Sequence, residues 1–177
     1  MERVANGSES AELGANFVEQ MRAVPGAIAL ICVSDGTTRT GLAATAWNSL
    51  CADPPMLLAC INRKASAHRL ILSKRAFSIN LLSVLDIETV KIFSAQTALA
   101  GEDRFLLNEW RSGPAGQPLR KRAVVAFECQ LDAYHSYGTH DVLIGKISHM
   151  QRGDAAAPLL YLNGGYCEPT QLPAPLA

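Results

Sequence analysis

Two long strand-like segments, 123–138 (AVVAFECQLDAYHSYG) and 140–152 (HDVLIGKISHMQR), meet near Gly138. A connection that short leaves no room for a crossover helix, so the two segments must run antiparallel. The rest of the chain repeats the same economy. Residues 27–34 (AIALICVS) read as a buried strand and 35–41 as a turn with Asp35-Gly36 at its tip. Thr40 to Ser49 then reads as the returning strand of a hairpin. Asp53-Pro54-Pro55 ends it and sets up a third buried strand over 56–61 (MLLACI). Residues 76–83 and 158–167 supply two more strands. The tally is six or seven strands with hairpin connections and no βαβ rhythm. A mainly β fold follows, an antiparallel sheet closed into a small barrel with flanking helices, rather than a doubly wound sheet.

The helices expected around it are short. Leu13, Phe17, Met21 and Val24 recur at helical spacing and predict an amphipathic helix ended by Pro25-Gly26. A helix over 66–75 is predicted with Ser66 as its cap, and another over 86–96 with Asp86 as its cap. Residues 101–110 read as a further helical turn or two. The Gly- and Pro-rich 111–122 reads as a loop within the domain.

At 177 residues and 49% hydrophobic content the chain suits one core. We expect a flexible N-terminus over 1–12, a single domain over 13–168 and a tail over 169–177. Sixteen basic residues balance 16 acidic ones, which implies neither a nucleic-acid surface nor a basic membrane patch. No run approaches the ~18 apolar residues that a membrane span needs. The polar start, MERVANGSESAELG, lacks the apolar region of a signal peptide, so a cytoplasmic protein is expected. Five cysteines without CxxC spacing argue against a disulfide framework or a zinc site. Cys32, Cys60 and Cys129 sit in apolar runs as small buried residues. The four histidines have no metal-ligand spacing and read as surface or strand-end residues. His140 stands apart, at a strand junction with Tyr134 and Tyr137 nearby. Dinucleotide, P-loop, nucleophile-elbow and zincin signatures are all missing.

The stretch 41–68 (GLAATAWNSLCADPPMLLACINRKASAH) holds the chemistry. Arg63 and Lys64 bring charge, Ser66 a hydroxyl, and the start of the next helix brings backbone amides. These are the parts of a phosphate site, and equally of a solvated basic turn. Gly41, Ala43, Ala44 and Ala46 are small enough to let backbone amides approach a flat ring. Trp47 could wall such a ring or fill the core. By themselves these residues suggest an anionic, flat ligand.

In order, these segments resemble the flavin reductase family with the FMN-binding split-barrel fold. The matching pieces are Gly41 through Pro55, the Asn62-Arg63-Lys64-Ala65-Ser66-Ala67-His68 run, and Phe77 through Leu82. Asp103-Arg104-Phe105, the run from Gly138 to Gly145, and Pro158-Leu159-Leu160-Tyr161 match as well. The resemblance covers about 14–168 and implies a six-stranded Greek-key split barrel. It implies that Thr45, Ala46 and Trp47 contact the isoalloxazine ring. Ser49, Asn62, Arg63, Lys64 and Ser66 would hold the phosphate and ribityl chain. His140 would face the nicotinamide side, and Tyr166 would close the site. The family often carries Ser where Cys51 stands, and the basic tail common after the last strand is missing. The implied activity is hydride transfer from NADH or NADPH to FMN or FAD, with no side-chain acid, base or metal required. The implied partners are a second copy in a homodimer and a two-component monooxygenase fed by diffusible reduced flavin. The alternatives are a flavin- or tetrapyrrole-binding module without turnover, or a flavoprotein reductase of a corrinoid or ferric complex.

Overall fold

The structure, a computed structural model, describes residues 7–106, 110–153 and 157–173. The chain begins with α1 (Gly7–Met21), β1 (Gly26–Ala27), β2 (Ala29–Ser34), β3 (Arg39–Ala44), β4 (Trp47–Ala52) and β5 (Pro55–Asn62). It continues with α2 (Ser66–Lys74), β6 (Ala76–Leu81) and α3 (Ile87–Phe93). After these come β7 (Trp110–Ser112), β8 (Pro118–Arg120), β9 (Val125–Tyr137) and β10 (His140–Arg152). The last elements are β11 (Leu160–Leu162) and β12 (Gly165–Cys167). Single 3-10 turns cover Val84–Asp86 and Gly101–Phe105.

Seven strands form one antiparallel sheet in the order β3-β2-β6-β9-β10-β5-β4. Its two end strands, β3 and β4, are consecutive in sequence and separated only by Thr45 and Ala46, so the sheet closes on itself at that bend. The expected six strands are seven because the single strand predicted over 40–49 breaks in two. Its first half pairs with β2, from Ser34↔Arg39 to Ala29↔Ala44. The second half crosses to β5, with Trp47 opposite Ala59 and Ser49 opposite Leu57. A close approach accompanies the break: a Cβ on Gly26 would lie 2.7 Å from that of Thr45.

Strand alternation explains the layers. Ala29, Ile31 and Val33 of β2 point into one cluster, with Ile61, Ile71, Phe77, Leu131 and Leu143. The alternate residues Leu30 and Cys32 point into a second cluster with Leu82, Val90, Phe93, Phe105 and Leu159. β2 is therefore buried along its whole length. Cys32 and Cys129 are buried as expected, while Cys60 is half-buried.

Local details differ from the sequence-based expectations. α1 starts at Gly7, so 7–12 are helical, and 1–6 lie outside the described residues. Its apolar residues Leu13, Phe17, Val18 and Met21 remain exposed, Phe17 to 62%. Ser66 does not cap α2; the cap position is Ala65, and no side chain bonds there. Asp86 does not cap α3 through its side chain either. Its carboxylate accepts from Ser83 N at 2.9 Å and Ser83 Oγ at 2.8 Å, and pairs with the buried Arg120. A buried guanidinium is a stronger partner for a carboxylate than an exposed helix amide. The loop 111–122 carries the small hairpin β7–β8, and 158–167 is a hairpin rather than one strand. Asn163 and Gly164 turn that last hairpin with φ of 50° and 80°, the left-handed pair that tight hairpins require.

Candidate functional site

The β3–β4 bend, the 62–66 loop and the β9–β10 turn converge at one end of the barrel. Cys60 N donates to Ala46 O at 2.8 Å, which places the bend two residues from the end of β5. His140 pairs with Asn62 in the β10–β5 register and with Tyr137 in the β10–β9 register. Arg63 joins the loop to the turn twice. Its N–H donates to Thr139 O at 3.0 Å, and its Nη2 donates to Gly138 O at 2.5 Å. Asn62 shapes the loop: Oδ1 accepts from Lys64 N at 2.9 Å and its carbonyl accepts from Ala65 N at 2.9 Å. Lys64, next in sequence to Arg63, is left exposed. Cations in this position suit a phosphate.

Asn62, Arg63, Lys64 and His140 are thus brought together. Ser66 lies at the same loop, but its Oγ is shared with Thr40 Oγ1 at 3.0 Å. Thr45 and Ala46 are exposed at the bend. Trp47 is half-buried, packs against the first core cluster, and donates from Nε1 to Ala27 O at 2.9 Å. The indole therefore braces the bend against β1 and leaves backbone, rather than an aromatic face, at the bend. Ser49 sits apart. It is opposite Leu57, five residues from Asn62 along β5, about 17 Å at the usual strand rise.

Tyr166 lines a groove of about 330 Å³ with Ala43, Ala44, Thr45, Val90 and Tyr161. The two tyrosine rings meet edge-on at 5.9 Å. Thr45 belongs to both this groove and the bend, so an apolar groove and a cationic loop flank one stretch of exposed backbone. Small residues at 43, 44 and 46 keep that backbone accessible. The arrangement fits a flat ring with an anionic chain. A larger cavity, about 510 Å³, lies between the β2–β3 turn and the β7–β8 hairpin. It includes none of these residues, and one of its cations, Arg39, is already paired with Glu102.

The sequence reading missed one feature here. His68, expected at the surface, is 8% exposed, and its Nε2 lies 2.7 Å from Asp141 Oδ2. The His68 hydrogen bond, helped by Ser136 and by the charges of His68 and Arg63, holds the Asp141 carboxyl below its ordinary range against the opposing effect of burial. Nothing local signals the pair, since its members lie 73 positions apart. Among the described residues no group of three His, Cys, Asp or Glu could hold a metal ion, and no helix is long and apolar enough to cross a membrane.

Comparison with known proteins gives a consistent result. The family model described as flavin reductase like domain matches residues 21–170. An FMN reductase (NADH) RutF from Stutzerimonas stutzeri is 31% identical over 151 residues, spanning 85% of this chain and 86% of that protein. The reductase component of an FADH(2)-dependent resorcinol hydroxylase from a Rhizobium strain is 32% identical over 157 residues, 88% of this chain and 87% of its own. Among solved structures, a flavin reductase domain protein from an Arthrobacter strain superposes with a TM-score of 0.83. It covers 92% of this chain and 99% of its own, and at 24% identity it speaks for the fold alone.

Proposed function

Since the chain belongs to the flavin reductase family, we propose that it is an NADH:flavin oxidoreductase that supplies reduced flavin to a partner monooxygenase. The observation that carries this reading is the corner where Arg63, tied to the β9–β10 turn, stands two to three residues from the exposed bend at Thr45 and Ala46. Arg63 and Lys64 hold the phosphate, and the backbone at the bend meets the ring edge. Thr45 and Tyr166 border the apolar side, and His140 faces the nicotinamide. When bound, the flavin supplies a ring that takes hydride from NADH. The chain itself stacks the two rings, fixes their separation and excludes water. No side chain has to move a proton for this, in keeping with the lack of any nucleophile–base pair in the sequence motifs.

A second copy of the chain completes the assembly in this reading. Support comes from the uncovered apolar face of α1, whose Leu13, Phe17 and Met21 suit burial in a symmetric dimer. Light scattering that returns a monomer mass would sink the dimer.

The activity is tested by mixing the protein with FMN and NADH and following the nicotinamide absorbance. NADH oxidation is expected. The Arg63→Ala/Lys64→Ala variant should bind FMN about 10- to 100-fold more weakly, the loss of two charge-assisted contacts that are each weakened by exposure to solvent. A wild-type protein that binds FMN but leaves NADH untouched would make the chain a binding module. Flavin retained through gel filtration would make it a prosthetic group and point to another acceptor.

A further inference from the structure

Hydride transfer depends on two ends of one site keeping a fixed separation, and here the two ends lie on different elements. The loop that would grip phosphate opens α2, and His140 opens β10. Beyond the β5–β10 ladder, which sets Asn62 opposite His140, two further ties hold them together. The outer tie is Arg63, through Thr139 O and Gly138 O, in an exposed place. The inner tie is His68 to Asp141 at 2.7 Å. His68 lies in the first turn of α2, two residues after Ser66, and Asp141 directly follows His140. Because strand residues alternate, His140 faces solvent while Asp141 turns inward, where it is 1% exposed.

A buried imidazole–carboxylate contact is an expensive way to fasten a helix. Apolar residues of similar volume commonly pack such a site at equal or lower cost. The neighbouring Ala67 and Ile71 of α2 already do so, both fully buried in the first core cluster. What the polar pair adds is direction: a short hydrogen bond fixes the rotation and height of the helix start, whereas apolar contacts tolerate sliding.

We infer that His68 and Asp141 are positioning residues, whose contact sets the phosphate-binding loop of α2 against the His140 end of β10. This rests on the flavin reductase reading above. Neither residue touches substrate; each acts through its neighbour.

The test uses full-length protein with FMN and NADH, and compares His68→Leu with His68→Gln, whose amide can present an N–H near the Nε2 position. Flavin-binding sites are counted by fluorescence titration, and kcat is expressed per binding site. His68→Leu is expected to keep flavin affinity within about threefold, because Arg63 and Lys64 remain, while kcat per site falls about tenfold or more. His68→Gln is expected to restore kcat to within about threefold of wild type. A merely structural role would lower the number of flavin-binding sites and leave kcat per site unchanged, which overturns the inference. Leu and Gln variants that are equally slow would overturn it too. If His68→Leu does not fold, Asp141→Val removes the tie from the other side and carries the same expectations. A wild-type protein that neither binds FMN nor oxidises NADH refutes the activity itself, a result distinct from a fast His68→Leu enzyme.

Discussion

Glu128 offers the sharpest test of what holds the barrel's far end. It sits on β9 with no exposed surface, and among the described residues no Lys or Arg pairs with it. Its partners are backbone amides. Ala115 N lies 3.1 Å from both carboxylate oxygens, and Gln117 N lies 2.8 Å from Oε1. Gly113 is packed so closely that a Cβ there would sit 2.5 Å from the carboxylate carbon. Gln117 in turn accepts from Ser34 N at 3.0 Å, so the carboxylate fixes a loop that fixes the end of β2.

Glu128→Gln keeps the volume and changes one oxygen into a donor. Gln117 N and Ala115 N can both still donate to an oxygen kept at Oε1, but each then meets a neutral acceptor, and the new NH₂ sits 3.1 Å from Ala115 N, donor against donor. A hydrogen bond to a charged group contributes about 1.5–3 kcal/mol, and an orphaned buried donor costs about 1–3 kcal/mol. The gain from no longer burying a charge offsets part of that sum. A net loss of about 2–4 kcal/mol follows, or roughly 5–15 °C in Tm for a chain of this size. Urea unfolding measures the loss, and flavin affinity serves as the control. Glu128 is nine residues from Tyr137, about 30 Å along the strand, so binding should not change. Stability within about 0.5 kcal/mol of wild type would refute this account. The loop would then be held by its own bonds, Gly113 N to Gln117 O and Gly116 N to Gly113 O.

Gly145→Ala would place a Cβ 2.5 Å from Phe77 Cζ and 2.9 Å from Cys129 Cβ, so overpacking should cost about 1–3 kcal/mol in thermal or urea unfolding. Asp35 caps the β2–β3 turn by accepting from Thr37 N, Thr38 N and Thr37 Oγ1, and these bonds lower its carboxyl to about 2. A carboxyl lowered by folding stabilises at pH above its ordinary 3.8 and stops doing so as pH falls through about 2, so the difference between wild type and Asp35→Asn should vanish across that window. Burial pushes the Cys129 thiol up to about 12 and raises Cys32 further, so alkylation of the native protein should begin at the exposed Cys51 and spare both, as peptide mapping would show.

What the sequence disclosed followed periodicity and turn chemistry. The long β9–β10 hairpin, the buried β2 and the β5–α2 order were legible because alternation and Gly or Pro punctuation are local signals. The division of 40–49 into β3 and β4 was not. A strand that bends keeps the alternation of one that does not, and its second half pairs with β5, which only later sequence supplies. Ser66 was misplaced as a cap, and Asp86, which does hold the N-cap position of α3, makes no capping bond with its side chain, for a related reason. Both have the composition of helix caps, yet tertiary partners, Thr40 for one and Arg120 for the other, claim their side chains. Trp47 could be weighed but not placed until its Nε1 was found on Ala27 O.

The site was legible in an unusual order, and its chemistry explains why. An enzyme that moves a proton must carry an acid or base, and such residues leave marks in a sequence. A reaction whose reactive groups all belong to bound molecules leaves only marks of binding: small residues at 43, 44 and 46, and cations at 63 and 64. Those marks alone suggest an anionic, flat ligand and no more. The activity is implied by the order of the further segments through the family they resemble, and the structure adds that the bend, the loop and the β9–β10 turn share one end of a closed sheet. The same logic predicts where sensitivity to substitution should concentrate. In the proposed reading, replacing exposed His140 removes a contact to one substrate, while replacing buried His68 or Asp141 shifts the relation between the two. The larger loss per bound flavin should therefore come from residues that no substrate touches.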